Sequence, residues 1–506
     1  MLLAEIVETS AAVGGTAARL EKIDRLATTL KRVEPGEASI AAAYLSSRLR
    51  QRQIGVGYAS MRDLPPPAAG STLTLTQVDA ALEAIGNTGG ADSQTHKRRL
   101  LANLLGKATA EEQSFLMRLI IGELRQGALA GVMHEALARA LNVSPKEVRR
   151  AVMLRGDLYA VAEAALRDGP AGLDQFRLHV GQPVLPMLAQ SATSISEALE
   201  RISPAAIDWK LDGARVQIHV LNGDVRVFTR SLDDITSRVP ELVEMATSLG
   251  TSSLVLDGEA LTLREDGRPQ PFQVSASRFG SRLDVERLRA TLPLTPFIFD
   301  ILHLNGEDLI DHPLSERHNA LTATVSEKWL VPRIVTEDVA KGDAFVKHTL
   351  ERGHEGVVVK ALDSFYEAGR RGTGWIKVKP ALEIDCVILA AEWGHGRRTG
   401  WLSNLHLGAR DPETGGFVML GKTFKGLTDE MLRWQTQRLQ ELETHRDRWT
   451  VYVRPELLVE VKFDGVQRSS RYPGGVALRF ARVVRYREDK RPEEADTIQT
   501  VQSFRN

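Results

Sequence analysis

The spacing of hydrophobic and polar positions changes character along the chain. Residues 1–185 repeat apolar positions at helical spacing, as in LLAEIVETSAAVGGTAARLEKIDRLATTLKRV, with breaks at Pro35-Gly36 and at LPPPAAGST, residues 64–72. TAEEQSFLMRLIIGELRQG, residues 109–127, predicts one amphipathic helix ended by glycine. Ser144-Pro145-Lys146-Glu147 predicts a capped helix start: the serine accepts, the proline fits the first turn and the glutamate reaches back. Beyond residue 185 short β-rich runs take over: ARVQIHVL, DVRVFTR, SLVLDGEALTL, FIFDIL and EGVVVKAL, with turn signals such as Asn222-Gly223 and Asp266-Gly267. With the helical patches between them, they predict an α+β domain built on antiparallel sheets. DCVILAAEWG, LLVEVKFDGV and ALRFARVVRYR, with one helix near TDEMLRWQTQRLQELE, predict a small β-barrel of the OB-fold kind. The expected organisation is three domains: all-α over 1–185, α+β over 186–382 and the barrel over 383–506.

Composition narrows the function classes. Cys386 is the one cysteine among 506 residues, which excludes an internal disulfide and a multi-cysteine zinc site. No apolar run approaches the roughly 18 residues of a membrane helix. The start, MLLAEIVETSAAVGG, lacks the basic-then-apolar pattern of a signal peptide, so a soluble cytoplasmic protein is expected. Net charge is zero, yet it is uneven: +3 over 1–185, −5 over 186–382 and +2 over 383–506. An acidic centre suits metal ions, and basic flanks suit a polyanion gripped from two sides.

The candidate chemistry lies in the central segment. Lys210 precedes a turn, Leu211-Asp212-Gly213, that opens into an alternating strand beginning at Arg215. A lysine amine is a nucleophile only when deprotonated, which nearby cations or desolvation promote. Glu259 in Leu256-Asp257-Gly258-Glu259 and Glu355 before Gly356-Val357-Val358-Val359-Lys360 supply two carboxylates. Lys377 and Lys379 alternate on one face of a strand in Trp375-Ile376-Lys377-Val378-Lys379. Each segment alone also reads as an ordinary turn or a solvated strand face. Together they supply one nucleophile, two carboxylates for a divalent metal and two cations for phosphate, the needs of phosphoryl transfer.

The ordered set resembles the ATP-dependent DNA ligases, within the covalent nucleotidyltransferases. KLDGAR is similar to that family's nucleophile motif, DGE, EGVVVK and WIKVK to three further motifs, and Arg487-Glu488-Asp489-Lys490 to its C-terminal motif. GRRTGWLSNLHLGARDPETGGFVMLGKTFKG and DGVQRSSRYPGG resemble the bacterial ligase B type of actinobacteria in particular. The resemblance implies that Lys210 forms a lysyl-AMP adduct with ATP. It implies nucleotide or phosphate contacts for Arg215, Arg230, Arg371, Lys377 and Lys379, adenine stacking for Phe299, and metal and ribose contacts for Glu259 and Glu355. Asp208 stands where the family often has a glutamate that helps recognise adenine. Arg487 and Lys490 would orient the departing pyrophosphate, and Arg479-Phe480 would sit at the nick. Gly122-Glu123-Leu124-Arg125-Gln126-Gly127 and Ile54-Gly55-Val56-Gly57 are similar to DNA-contacting turns of the family's helical domain, with Arg125 the candidate contact. The implied cofactors are ATP and Mg²⁺ or Mn²⁺. The implied partner is nicked double-stranded DNA, bound by a monomer in the bacterial nucleoid during repair, replication or recombination. No sliding-clamp motif is indicated. An RNA ligase, a capping guanylyltransferase and a non-enzymatic clamp on nicked DNA are the alternatives; an NAD-dependent ligase needs a zinc module that one cysteine cannot build. A hinge is expected near 380–386, around Pro380.

Overall fold

The computed structural model describes residues 1–506 apart from 52, 62–63, 91, 125, 128–129, 281–284, 368–370, 381, 396–397 and 505–506, and apart from the side chains of 58–59 and 371–373. The candidate contact Arg125 and the side chain of Arg371 therefore lie outside the described residues, as does residue 381 of the expected hinge.

Every regular element assigned before Leu188 is helical, and one continuous apolar core joins these helices. The long N-terminal pattern divides into Leu3–Gly14 and Arg19–Leu30. The helix expected over 109–127 is shorter: it spans Ala110–Ile120, and Gly122 at φ +75° turns the chain. Glycine does end it, five residues earlier than expected. The helix does not resume past this turn because Gln126 is drawn inward, donating to Leu45 O and accepting from Ser10 Oγ. The Ser144 cap forms as expected: Oγ accepts from Lys146 N at 3.2 Å, and Glu147 Oε2 accepts from Ser144 N at 2.8 Å.

Two five-stranded sheets build the centre. The first runs Leu188–Ala192, Arg371–Val378, Gly356–Ala361, Ala205–Lys210, Arg333–Thr336, with only the first pair parallel. The second runs Asp224–Thr229, Ala214–Leu221, Ser253–Thr262, Leu294–Leu304, Glu307–Asp308 and is antiparallel throughout. The chain leaves the first sheet at Lys210 and enters the second at Ala214, so Leu211-Asp212-Gly213 is the crossing point. Gly213 is required there. A Cβ would meet Ala260 O at 2.5 Å and Glu259 Cγ at 3.0 Å, so a larger residue would push the crossing segment away from the neighbouring strand Ser253–Thr262 of the second sheet.

The C-terminal strand-rich domain is wound around one long strand, Leu382–Trp393. Its first half pairs with Leu458–Phe463 and its second half with Thr450–Val453, while Leu402–Arg410 covers the other edge. Register shifts between Ile388 and Ala390 and between Glu392 and Trp393 bend it, which lets a single strand serve different partners. Asp429–Glu441 is the expected helix, and Gly465–Arg468 with Val476–Arg479 forms a separate hairpin.

Candidate active site

A cleft of about 620 Å³ opens between the two central sheets, within the usual size range of small-molecule sites. Lys210 lies on its wall. Strand pairing brings it opposite Gly356, and the preceding Glu355 donates its own N–H to Lys210 O at 3.1 Å. The Lys210 ammonium in turn donates to Glu355 Oε2. Gly356, at φ +141°, allows this: a Cβ would strike Val378 O at 2.3 Å. Lys379 Nζ lies 3.7 Å from Glu355 Oε1. Burial pushes the Glu355 carboxyl upward, but Lys210 and Lys379 outweigh it and hold the group below the usual carboxylate range.

Glu259 enters from the second sheet, opposite Arg215 in register. Burial pushes its carboxyl up to about 7, against the pull of Arg215 and Lys210. This shift has a testable consequence for the protein without ligands. A carboxyl raised on folding contributes stability that is complete below its unfolded value of 4.5 and is lost as pH rises through about 7. Thermal midpoints measured between pH 5 and 8 should therefore decline across that window. Glu259→Gln should flatten the decline, and an unchanged slope would remove Glu259 as its source.

Arg215 is more committed than the sequence implied. Nε and Nη2 grip Asp257 at 3.0 and 2.6 Å, Nη1 donates to Met187 O at 2.6 Å, and Nη2 also reaches Tyr366 Oη at 3.3 Å. Among the described residues these bonds use four of its five N–H groups. Tyr366 Oη donates to Asp257 Oδ2 at 2.6 Å, so Asp257 and Tyr366 are supports that the motif reading missed. Asp257 stood within a quoted motif, whereas Tyr366 carried no such signal.

At the base of the cleft Phe299 meets Trp375 edge-on at 5.9 Å, with Lys360 Nζ 4.5 and 4.2 Å from the two ring centres. Asp208 is 2% exposed and is held by Arg333 and, at 2.7 Å, by Lys360. Lys377 and exposed Arg230 also line the cleft.

The strand-rich domain contributes Arg479, which lines the cleft and pairs with Asp212 at 3.0 Å. Phe480 follows at φ +55°, is 62% exposed, and lies under Lys425 Nζ at 5.3 Å. The other end of this domain is elsewhere. Arg487 pairs with Asp385 and Asp489, and Lys490 lies 2.6 Å from Asp385, so neither lines the cleft. The structure thus brings together Asp208, Lys210, Arg215, Arg230, Glu259, Phe299, Glu355, Lys377, Lys379 and Arg479. It leaves Arg487 and Lys490 apart from them.

Three family descriptions match in chain order: DNA ligase N terminus over 58–138, ATP dependent DNA ligase domain over 186–379, and ATP dependent DNA ligase C terminal region over 398–490. A "Probable DNA ligase" of Anaeromyxobacter sp. (strain Fw109-5) is 58% identical, covering 100% of this chain and 98% of the relative. The chain belongs to the ATP-dependent DNA ligase family. A "Probable DNA ligase" of Mycobacterium marinum is 55% identical over 100% of both ligases. The solved structure titled "Pmar-Lig_PreS3" shares the fold, with TM-score 0.66 at 17% identity, covering 95% of this ligase and 99% of that chain. Among the described residues of this ligase, no helix is long and apolar enough to cross a membrane.

Proposed function

We propose that this ligase seals nicks in duplex DNA through AMP carried on Lys210. The observation that carries the assignment to Lys210 is its position at the crossing point of the two sheets, bonded to Glu355 and facing a cleft of nucleotide size. Nζ attacks the α-phosphorus of ATP; the P–N bond forms, the bond to the β-phosphate oxygen breaks and pyrophosphate leaves. The Lys210 ammonium must lose one proton to become the attacking amine and a second as the P–N bond forms; the Glu355 carboxylate is placed to take the first, and the second passes to water. AMP then passes to the 5′-phosphate of the nick. The 3′-hydroxyl finally attacks that phosphate and AMP departs. Phe299 forms the stacking wall for the base, Asp208 accepts from it, and Lys377 with Lys379 holds phosphate.

Among the described residues no group of three or more His, Cys, Asp or Glu could hold a metal. Glu259 and Glu355 flanking Lys210 nevertheless fit Mg²⁺ or Mn²⁺, because Mg²⁺ commonly takes one or two carboxylates and completes its shell with water and phosphate oxygens. When bound, the ion neutralises phosphate charge. Arg230 and Arg479, which line the cleft, and the exposed Phe480 beside Arg479 are the candidate contacts to DNA. Most contacts should be to phosphate and sugar, so sealing should be independent of sequence and weaken with salt.

Incubation with α-labelled ATP, α-labelled GTP or adenylate-labelled NAD, followed by a chase with nicked duplex, tests this function. Label should enter the protein from ATP alone and move to DNA. An adduct from GTP or NAD alone, or label that never leaves the protein, would overturn it.

A further inference from the structure

Arg333 lies outside every motif and does not line the cleft, yet it touches two groups assigned to the base. It starts the edge strand of the first sheet, directly opposite Asp208 in register. Its side chain is 6% exposed. Nε donates to Asp208 Oδ1, Nη2 to Asp208 Oδ2 at 2.8 Å, and the same Nη2 to Phe299 O at 3.3 Å. One guanidinium thus fixes the carboxylate on the first sheet and the strand bearing Phe299 on the second. Bidentate pairing sets the plane of a carboxylate as well as its place.

We propose that Arg333 is a positioning residue for nucleobase selection, aligning Asp208 and Phe299 from behind the cleft. The proposal rests on the reading of the cleft as the AMP site. A carboxylate has about four acceptor positions. Arg333 occupies two and Lys360, 2.7 Å from Oδ2, approaches a third, which leaves room for one further donor. Adenine presents such a donor in its 6-amino group. Guanine presents a carbonyl there, and two acceptors would face each other. Aspartate is a short side chain, so it cannot swing to meet a misplaced base. Its discrimination depends on being held in one plane, and Arg333 holds it. Nη1 of Arg333 is buried without a hydrogen-bond partner among the described residues, a cost that the bonds to Asp208 and Phe299 and the nearby Asp300 charge offset.

The test measures KM and kcat of lysyl-nucleotide formation with ATP and with GTP for Arg333→Gln, Arg333→Lys and Asp208→Asn. Arg333→Gln should raise the KM for ATP about tenfold, change kcat less, and narrow the ATP-to-GTP preference by a similar factor. Arg333→Lys, which keeps the charge but not the fork, should recover part of both. Unchanged KM and preference in the two Arg333 variants would overturn the proposal. So would an equal fall in kcat for both nucleotides with the preference intact, which marks a merely structural role. If Arg333→Gln does not fold, Arg333→Lys decides by the same criteria. Asp208→Asn separates the levels. If it leaves the preference unchanged, Asp208 does not read the base and the reading of the cleft fails at that point. If it narrows the preference while the Arg333 variants do not, the Arg333 proposal alone fails.

Discussion

Lys210→Ala should yield no labelled enzyme with ATP and should lower nick sealing by at least about 10⁴-fold, because the covalent route loses its only attacking atom. The fold should persist, since Lys210 is partly exposed and its backbone pairing with Gly356 does not need the side chain. A nick already carrying AMP on its 5′-phosphate supplies the decisive control. Joining it bypasses the first two transfers, so the variant should seal that substrate far better than an ordinary nick with ATP. Equal failure on both substrates would place Lys210 in the last step as well. Undiminished sealing with ATP would remove it from the chemistry.

The second large effect concerns stability. Arg317 and Asp300 are both fully buried, and Arg317 Nε and Nη2 hold the two Asp300 oxygens at 2.8 and 3.0 Å. Nη1 also donates to His312 O at 2.6 Å and Ser364 O at 2.9 Å. Asp300 follows Phe299 in its strand, so this one side chain ties the strand bearing Phe299 to the segment leading to Tyr366. Arg317→Ala leaves the buried Asp300 carboxylate with the Ile301 N–H at 3.0 Å but no cation, strips the Arg317 bond from two carbonyls, and should cost about 3–5 kcal/mol, read as a fall in the denaturant midpoint. Replacing Arg317 and Asp300 together by apolar residues should cost less, because no buried charge is then stranded. A double variant as unstable as Arg317→Ala would show that the carbonyl contacts, not the ion pair, dominate.

The elements legible in sequence were those with strong periodicity or local punctuation. The Ser144 cap, the alternating strand after Lys210 and the change from helices to sheets near residue 186 all follow from spacing that neighbouring residues impose. The helix ending at Ile120 was misjudged because Gln126 is anchored to Ser10 and Leu45, which are distant in sequence. The site divides in the same way. Lys210, Glu259, Glu355, Lys377 and Lys379 sit in motifs. Arg333 and Tyr366 act through contacts that only the folded chain creates, as does the pairing of Arg479, already a candidate from its motif, with Asp212. The commitment of Arg215 to Asp257 was not legible, because Asp257 lies 42 residues on in sequence and comes beside it only in the folded chain.

Arg479 makes the wall of the cleft partly the property of the strand-rich domain. Whatever free energy a bound nucleotide gains from that arginine, the seating of the strand-rich domain gains from the nucleotide in equal measure. Occupancy of the cleft and orientation of the domain are therefore two readings of one equilibrium. Weakening the Arg479–Asp212 contact should change nucleotide affinity and the seating of the strand-rich domain together.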